Sequence, residues 1–338
     1  MPNIEKYFGS EFLKRDKRIE SYRFLQNLIK GAHNDWSTTP DTENVVDKLL
    51  SEFKNLDDLE FAFFINHCGY IPETYLPDSS EERLYSKLIE ASVLEWAQRI
   101  GFQKSSLPKQ KASTEDVTIT DGNSVIVCDT KSFRLGRSQK APNVKDALKP
   151  KDIQKWLSKH PSVEPLGGLV VFPSQHDWKD RSDFYQYTTD ASEPTIALHY
   201  EYLSYFLISS VGKQALIDSY RDYKSIFPKP KKKSEGNKDY YHRKITRVLF
   251  DKACPHFEPF METAAKITHE MVYYWERELD DHIKEIKERV KERFETEDDL
   301  DTLRDHVVKL ETLKQTEDLS KQRNCIAKFR DSSGGFLS

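Results

Sequence analysis

The sequence predicts an α/β (α+β) protein in which a small β-sheet is flanked by helices and helical regions lie at both ends. Residues 10–70 and the last third of the chain place apolar residues three and four positions apart, the spacing of amphipathic helices. Four short runs rich in β-branched residues lie between positions 116 and 200, with helical patterns between them. Strands that alternate with helices are typical of a sheet covered by helices.

The composition indicates a globular protein with a substantial core. The 338 residues include 37% hydrophobic and 32% charged residues, with a formal net charge of −4. This apolar content excludes wholesale disorder, and no apolar run approaches the roughly 18–20 residues that span a bilayer. The four cysteines are scattered without CxxC spacing, which disfavours a zinc cage and a disulfide framework. We therefore expect a soluble cytoplasmic protein with no membrane association and no signal peptide.

The N-terminal helices are predicted to end at a loop over residues 71–80. Pro72 and Pro77 break helices there, and either Ser79 or Ser80 can cap the helix that follows. That helix has acidic residues in its first turn and is expected to end at Gly101 with a left-handed cap.

The strands follow in order along the middle of the chain. The first two are separated by Asp121-Gly122, a pair that favours a two-residue hairpin turn. A basic, partly helical stretch leads to the third strand, and a helix follows the fourth. The four predicted strands cover residues 116–120, 124–133, 167–173 and 195–200.

A lysine-rich linker at 227–238 separates the sheet from a helical C-terminal third. The apolar residues of this last part recur at heptad-like spacing among dense charges. This pattern predicts a solvated helical hairpin or, alternatively, an interaction helix.

Two acids and a lysine are predicted to converge at the first hairpin. Because side chains alternate along a strand, Asp129 and Lys131 share one face. A two-residue turn places Asp116 opposite Val127, on the face of Asp129, where diagonal neighbours lie roughly 7–8 Å apart. A turn one residue longer presents Glu115 instead. Either register brings two carboxylates and one ammonium group together.

This combination suits the hydrolysis of a phosphodiester. Clustered carboxylates need a counter-charge, which a hard cation such as Mg²⁺ supplies while it keeps water and open positions for phosphate oxygens. A metal-held water has a lowered pKa, and the adjacent lysine can orient it or offset charge on the phosphate. The alternative interpretation is an inert surface ion pair on an edge strand.

A basic stretch accompanies these residues. Nine basic residues between positions 131 and 159 stand against only two acidic ones, an excess that suits a polyanion such as DNA, although a solvated helix face gives the same pattern. The basic residues are Lys131, Arg134, Arg137, Lys140, Lys145, Lys149, Lys151, Lys155 and Lys159.

Further information comes from three segments: IPETYLPDSSEERLYSKLIE, EDVTI, and VCDTKSFRLGR followed by KDALK. Together they resemble the HindIII-type restriction endonucleases of the PD-(D/E)xK nuclease superfamily. The likeness extends from about residue 57 to about 208, is weaker again at MVYYWERELDDHIKEIK, and is absent from the first 50 residues. It implies a restriction-endonuclease-like core with a small mixed β-sheet, in a prokaryotic cell.

The resemblance implies roles for individual residues. Asp116 and Asp129 would be the metal-binding carboxylates and Lys131 the catalytic lysine, although Glu115 stands where a proline often precedes the first acid. Many such nucleases bring an acid from the preceding helix to the metal. The candidates here are Glu82 and Glu90, eight residues apart and roughly on one helix face; plain solvated acids are the alternative.

DNA contacts are expected just after the catalytic lysine. Arginine suits bidentate contacts with guanine or phosphate, but Arg134 and Arg137 could equally clamp the active-site loop. The predicted DNA-binding residues are Ser132, Arg134, Arg137, Lys140 and Lys145.

The resemblance implies a type II restriction endonuclease: Mg²⁺-dependent, sequence-specific hydrolysis of double-stranded DNA at a short palindrome, by a homodimer. The type member of the family reads AAGCTT, which makes that palindrome the first target to test. A structure-specific repair or mobile-element nuclease, and a non-catalytic DNA-binding protein, are the alternatives. The expected organisation is a helical N-terminal region at 1–75, a nuclease core at 76–215, and a helical C-terminal region at 216–338 for dimerisation or DNA gripping.

Overall fold

The structure is a computed structural model that describes residues 3–108, 114–135, 149–179, 182–189, 193–229, 237–294 and 301–332. The α-helices in these ranges are α1 (Ile4–Phe8), α2 (Arg15–Ala32), α3 (Thr42–Phe53), α4 (Asp58–His67), α5 (Ser80–Arg99), α6 (Pro150–Leu157), α7 (Phe184–Thr189), α8 (Tyr200–Ile208), α9 (Lys213–Arg221), α10 (Tyr223–Ile226), α11 (Lys238–Phe250), α12 (Phe257–Phe294) and α13 (Asp301–Ser332). The strands are β1 (Tyr70–Ile71), β2 (Val117–Thr120), β3 (Ser124–Thr130), β4 (Phe133–Arg134), β5 (Glu164–Phe172) and β6 (Thr195–His199).

The central sheet has the strand order β2-β3-β5-β6. β2 runs antiparallel to β3, whereas β3, β5 and β6 are parallel to one another. Parallel strands are covered on both faces, which explains why β3 and β5 read as continuous buried runs rather than alternating ones. The prediction of a small mixed sheet flanked by helices is confirmed. The sequence did not predict a second, parallel pair formed by β1 and β4.

Helix α5 begins and ends at caps that the sequence announces. Of the two candidate serines, Ser79 is the cap, because its hydroxyl accepts the N–H of Glu82 at 3.2 Å. Gly101 has a φ of +113°, and the N–H of Phe102 reaches back to the carbonyl of Ala97 at 2.9 Å, the bond of a Schellman motif. The predicted left-handed cap is confirmed.

Helix α8 joins the sheet to the N-terminal helices. It follows β6 directly, and its backbone carbonyl at Leu203 accepts the indole N–H of the fully buried Trp96 on α5 at 3.0 Å. The hydroxyl of Ser204 donates to the carbonyl of Ala62 on α4 at 2.8 Å. α5 is therefore held from one side by α8 and can serve as a rigid wall beside β2 and β3.

The long C-terminal helices combine a core part with an outer part. In its first half, α12 is tied to the N-terminal helices by an ion pair between Arg18 and Glu270 at 2.7 Å. Further along it pairs with α13, where Arg323 and Asp280 lie 2.6 Å apart. Leu310 on α13 remains largely exposed. The three-region division and the role of these helices stay predictions.

The structure also describes the state of the cysteines and the apolar character of the helices. The four thiols, which belong to Cys68, Cys128, Cys254 and Cys325, are free. Within the described part of the chain, a helix with the length and apolar character of a membrane span is absent.

Gly167 in β5 supplies a first testable expectation. Its φ is +154°, and a Cβ built there would lie 2.2 Å from the carbonyl oxygen of Pro194. Gly167→Ala is therefore expected to lower the free energy of unfolding by about 2 kcal/mol or more, because a backbone atom must move. Gly31→Ala is the matched control: its Cβ meets open space in α2, and the change should stabilise by up to about 1 kcal/mol. Equal midpoints of urea unfolding for the two variants would contradict this.

Candidate active site at the first hairpin

The turn of the first hairpin is longer than predicted. Thr120 pairs with Val125, so four residues rather than two lie between the paired strands. The cause is local, because the Asp121 carboxylate accepts the N–H groups of Asn123 and Ser124 at 3.0 and 3.1 Å and so stabilises a wider loop.

The longer turn changes the partner of Asp116. Val127 pairs with Thr118, so the predicted pairing of Asp116 with Val127 is wrong. The N–H of Asp116 instead donates to the carbonyl of Cys128 at 2.9 Å, and its carboxylate accepts the N–H and hydroxyl of Thr130 at 2.8 and 3.2 Å. Because the register shifts by two residues, the face does not change, and Asp116 still approaches the end of β3 that carries the second acid.

Asp129 and Lys131 form the ion pair that strand alternation predicted. The Lys131 ammonium donates to the Asp129 carboxylate at 2.6 Å, and Asp129 is only 6% exposed. The backbone around them is also held: the N–H of Lys131 donates to the carbonyl of Val171 on β5 at 2.8 Å, and the Tyr200 hydroxyl donates to the carbonyl of Lys131 at 3.3 Å. Both side chains therefore lie on well-supported backbone.

The electrostatics indicate three interacting carboxyl groups. Burial raises the pKa of Asp129 to about 6; Lys131 opposes the rise, whereas Asp116 adds to it through its charge and a side-chain hydrogen bond. Burial likewise raises the pKa of Glu90 to about 8, with Asp116 as the next cause and Asp129 a smaller one; Lys87 opposes these effects. Glu90 is thus the α5 acid that lies in the field of the hairpin acids.

The donor set fits a hard divalent cation. In the described ranges, no three His, Cys, Asp or Glu side chains are gathered into a ready-made metal cage. Mg²⁺ does not require one, since it is commonly held by one or two carboxylates together with water and substrate phosphate. Burial and neighbouring carboxylates raise the pKa values of Asp129 and Glu90, so their ionised forms are ones that a cation would stabilise. The residues in position to do this are Asp116 and Asp129, with Glu90 beside them.

Glu82, the other helix candidate, is engaged elsewhere. Its carboxylate accepts the guanidinium Nε of Arg134 at 2.9 Å, and the same guanidinium donates to the carbonyl of Tyr75 at 2.8 Å. Ser132 also contacts α5, since its hydroxyl lies 3.3 Å from that of Ser86. Of the predicted DNA-binding residues, these two therefore touch α5. The other three, Arg137, Lys140 and Lys145, lie outside the described residues.

Glu115 takes a different place from Asp116. Its buried carboxylate contacts Nε2 of His160 at 2.7 Å and accepts the Thr118 hydroxyl at 2.9 Å. The alternative in which Glu115 replaces Asp116 beside Asp129 is therefore not what the structure contains. Instead, Glu115 ties the start of β2 to the residues that follow α6.

Sequence reasoning missed four groups that support the site. Lys87 is signalled only by its position three residues before Glu90 on one helix. The others have no local signal, because they reach the site across the fold. They are Thr130 for Asp116, Tyr200 for the Lys131 carbonyl, and His160 for Glu115.

An exposed basic surface lies next to this hairpin. On α6, Ile153 and Trp156 are buried, whereas Lys151 and Lys155 on the other side are exposed. His160, three residues beyond this helix, contacts Glu115 just before β2, so α6 is tied to the first hairpin. This arrangement suits a surface that faces a polyanion.

Comparisons with known proteins bear on the same region. A sequence profile of the HindIII restriction endonuclease family matches residues 27–253. The type II restriction enzyme HindIII of Haemophilus influenzae is 26% identical over 133 residues, which are 39% of this chain and 43% of that enzyme. The alignment thus spans less than half of the relative's length. The profile match is wider at both ends than the predicted 57–208, so the expectation of no likeness in the first 50 residues was wrong.

Proposed function

Because the chain belongs to the HindIII restriction endonuclease family, we propose that it is a type II restriction endonuclease that uses Mg²⁺ to hydrolyse double-stranded DNA at a short palindrome. The observation that carries the proposal is the Asp129–Lys131 pair at 2.6 Å with Asp116 beside it. An acid pair with an adjacent lysine, at the end of a hairpin and near a basic helix, supports metal-assisted phosphodiester hydrolysis, because this chemistry needs cation ligands and a group that orients water.

Each residue has a distinct role in this proposal. Asp116 and Asp129 hold the cation, which when bound supplies an activated water and neutralises phosphate charge. Lys131 orients the attacking water and offsets the negative charge that grows on the phosphate oxygens. The hydrogen bonds from Thr130 keep the Asp116 carboxylate in place. Glu90 adds a third carboxyl group on the side of α5.

Two further parts of the proposal concern the target and the assembly. A palindrome has two-fold symmetry, which a two-fold homodimer matches with one hairpin site per strand. AAGCTT is the first palindrome to test, by the resemblance to the type member. Cleavage of a duplex that contains AAGCTT, but not of the same duplex with those six base pairs shuffled, is the expected result.

The general test is a digest of a plasmid of known sequence with Mg²⁺, followed by sequencing of the ends. We expect discrete fragments that share one terminal sequence. Asp129→Asn under the same conditions is the control for contaminating nuclease, and Ca²⁺ in place of Mg²⁺ tests the need for the catalytic ion.

Other outcomes would favour the alternative functions. Preferential cleavage of branched or nicked DNA over intact supercoiled plasmid would indicate a structure-specific nuclease. Binding of DNA without any Mg²⁺-dependent cleavage would indicate a non-catalytic DNA-binding protein. A smear of random fragments would contradict sequence specificity.

A further inference from the structure

One face of α5 lies along residues 129–134, which we call the catalytic strand segment. Glu82, Ser86 and Glu90 recur every four positions, so they lie in a row along the helix. Glu82 contacts Arg134, and Ser86 contacts Ser132. Glu90, the third member of the row, interacts electrostatically with Asp116 and Asp129. The row on the helix therefore runs antiparallel to residues 129–134, with Glu82 at the Arg134 end and Glu90 at the Asp129 end.

The Arg134 end of this row is an enclosed ion-pair cluster. The side chains of Arg134 and Glu82 are only 15% and 18% exposed, and the buried Glu73 carboxylate lies 3.7 Å from the same guanidinium. With the Tyr75 carbonyl, Arg134 thus contacts the loop before α5 and the first turn of α5 itself. Breaking a shielded pair leaves an uncompensated charge, so these elements are held together firmly.

Glu82 links this cluster to the start of the helix. Its second carboxylate oxygen accepts the N–H of Asp78, a residue with a φ of +60° in the loop that leads to the Ser79 cap. The strand side is equally fixed, since β4 pairs with β1 and the N–H of Phe133 donates to the carbonyl of Gly69 at 3.0 Å. Arg134 therefore joins two ordered pieces rather than two loose ones.

We propose that Arg134 and Glu82 are positioning residues, which hold α5 in register against the catalytic strand segment and so keep Glu90 at the Asp116–Asp129 pair. This role in catalysis rests on the proposed nuclease function. It differs from a DNA contact, because a guanidinium engaged with Glu82, Glu73 and the Tyr75 carbonyl is committed to the fold.

The register can be measured without any cleavage assay. The hydroxyl oxygens of Ser86 and Ser132 lie 3.3 Å apart, so Ser86→Cys and Ser132→Cys would bring two thiols next to each other for oxidation to a disulfide. We expect this double variant to crosslink readily under mild oxidation, with the bond identified by peptide mapping. Adding Glu82→Gln should slow the crosslinking several-fold, because the helix then loses its register. An unchanged rate would overturn the proposal.

Kinetics test the catalytic consequence. Glu82→Gln and Arg134→Lys are each expected to lower kcat for DNA cleavage roughly 10- to 100-fold with little change in KM, since small misplacements near a reacting group cost that much. Arg134→Lys keeps the charge but loses the planar fork. Because the two residues act as one unit, the double variant should be no slower than the worse single variant.

Glu95→Gln is the matched control on the same helix. It breaks the Glu95–Arg99 pair, whose side chains are 14% and 13% exposed, at the other end of α5. We expect kcat and the crosslinking rate to stay at their wild-type values. Equal losses in this control would mean that any weakening of α5 has the same effect, and would overturn a specific positioning role.

Two further results separate the possible failures. A higher KM for Arg134→Lys but not for Glu82→Gln would overturn the proposal in favour of a DNA contact. If the wild-type chain cleaves no DNA at all, the proposed function fails, and the crosslinking rates still decide whether the ion pair sets the register of α5.

Discussion

Replacing Asp129 by asparagine is expected to abolish specific DNA cleavage and, at the same time, to make the metal-free protein more stable. The loss of activity should be at least roughly 10²–10³-fold, because the variant loses an anionic ligand where charge must be neutralised. The gain in stability has a separate cause. Burial and the Asp116 charge make ionised Asp129 unfavourable, and asparagine removes that charge.

The sign of the stability effect depends on pH. The pKa of Asp129 is raised from 3.8 to about 6 in the folded chain, so stability falls as the pH rises from about 4 to about 6, and the full cost of ionisation is present above that. The asparagine variant is therefore expected to gain up to about 3 kcal/mol at pH 8, since one pKa unit corresponds to about 1.4 kcal/mol. The gain should be small at pH 4 and vanish at lower pH, where the carboxyl is protonated in both states.

Urea unfolding of the metal-free protein at pH 8 and pH 4, together with a plasmid digest, measures both effects. Stabilisation of the same size at both pH values would contradict the electrostatic explanation. Retained specific cleavage would contradict the role of Asp129 in catalysis. The partner left behind, Lys131, has a side chain that is 22% exposed, so water can solvate it in the variant.

Lys131→Ala is expected to remove cleavage to a similar extent but to change stability in the opposite direction. Lys131 lowers the pKa of Asp129, so its loss leaves the carboxylates without their counter-charge. The free energy of unfolding at pH 8 should fall by about 1–3 kcal/mol, the range for a lost hydrogen bond between charged groups. The deficit should shrink as the pH falls through the Asp129 pKa, because a protonated acid no longer needs the ammonium group.

Lys155→Ala provides the control for net charge. It removes from the exposed face of α6 one lysine that is not part of the Asp129–Lys131 ion pair. It is expected to retain the cleavage rate at saturating DNA and the stability of the wild type, and to lower DNA affinity mainly at low salt. If Lys131→Ala behaved in the same way, its place in catalysis would be refuted.

The hairpin site shows which features can be predicted from strand alternation and turn motifs. Strand alternation alone places Asp129 and Lys131 on one face, and the structure contains that pair. The turn is two residues longer than predicted. The Asp-Gly motif does not reveal that the Asp121 carboxylate accepts the N–H groups of two following residues. Asp116 nevertheless lies on the predicted face of the hairpin, since a shift of two residues does not change the face.

The two acids of α5, Glu82 and Glu90, show what sequence spacing cannot predict. Sequence spacing puts Glu82 and Glu90 on one face of α5, but it cannot say which of them meets the hairpin. The structure pairs Glu82 with Arg134 and leaves Glu90 near Asp116. That choice depends on the way α5 lies along residues 129–134, which is set by contacts between distant parts of the chain.

The sequence by itself therefore determined the four strands of the central sheet, the Gly101 cap of α5, the family resemblance and the ion pair at the end of β3, because each depends on residues close together in the chain. Only the tertiary structure decided which acids gather, how deeply they are buried and that Arg134 is committed to the fold. The physical reason is that desolvation and long-range charge interactions depend on distances through space, and these exist only once the helices have packed against the sheet.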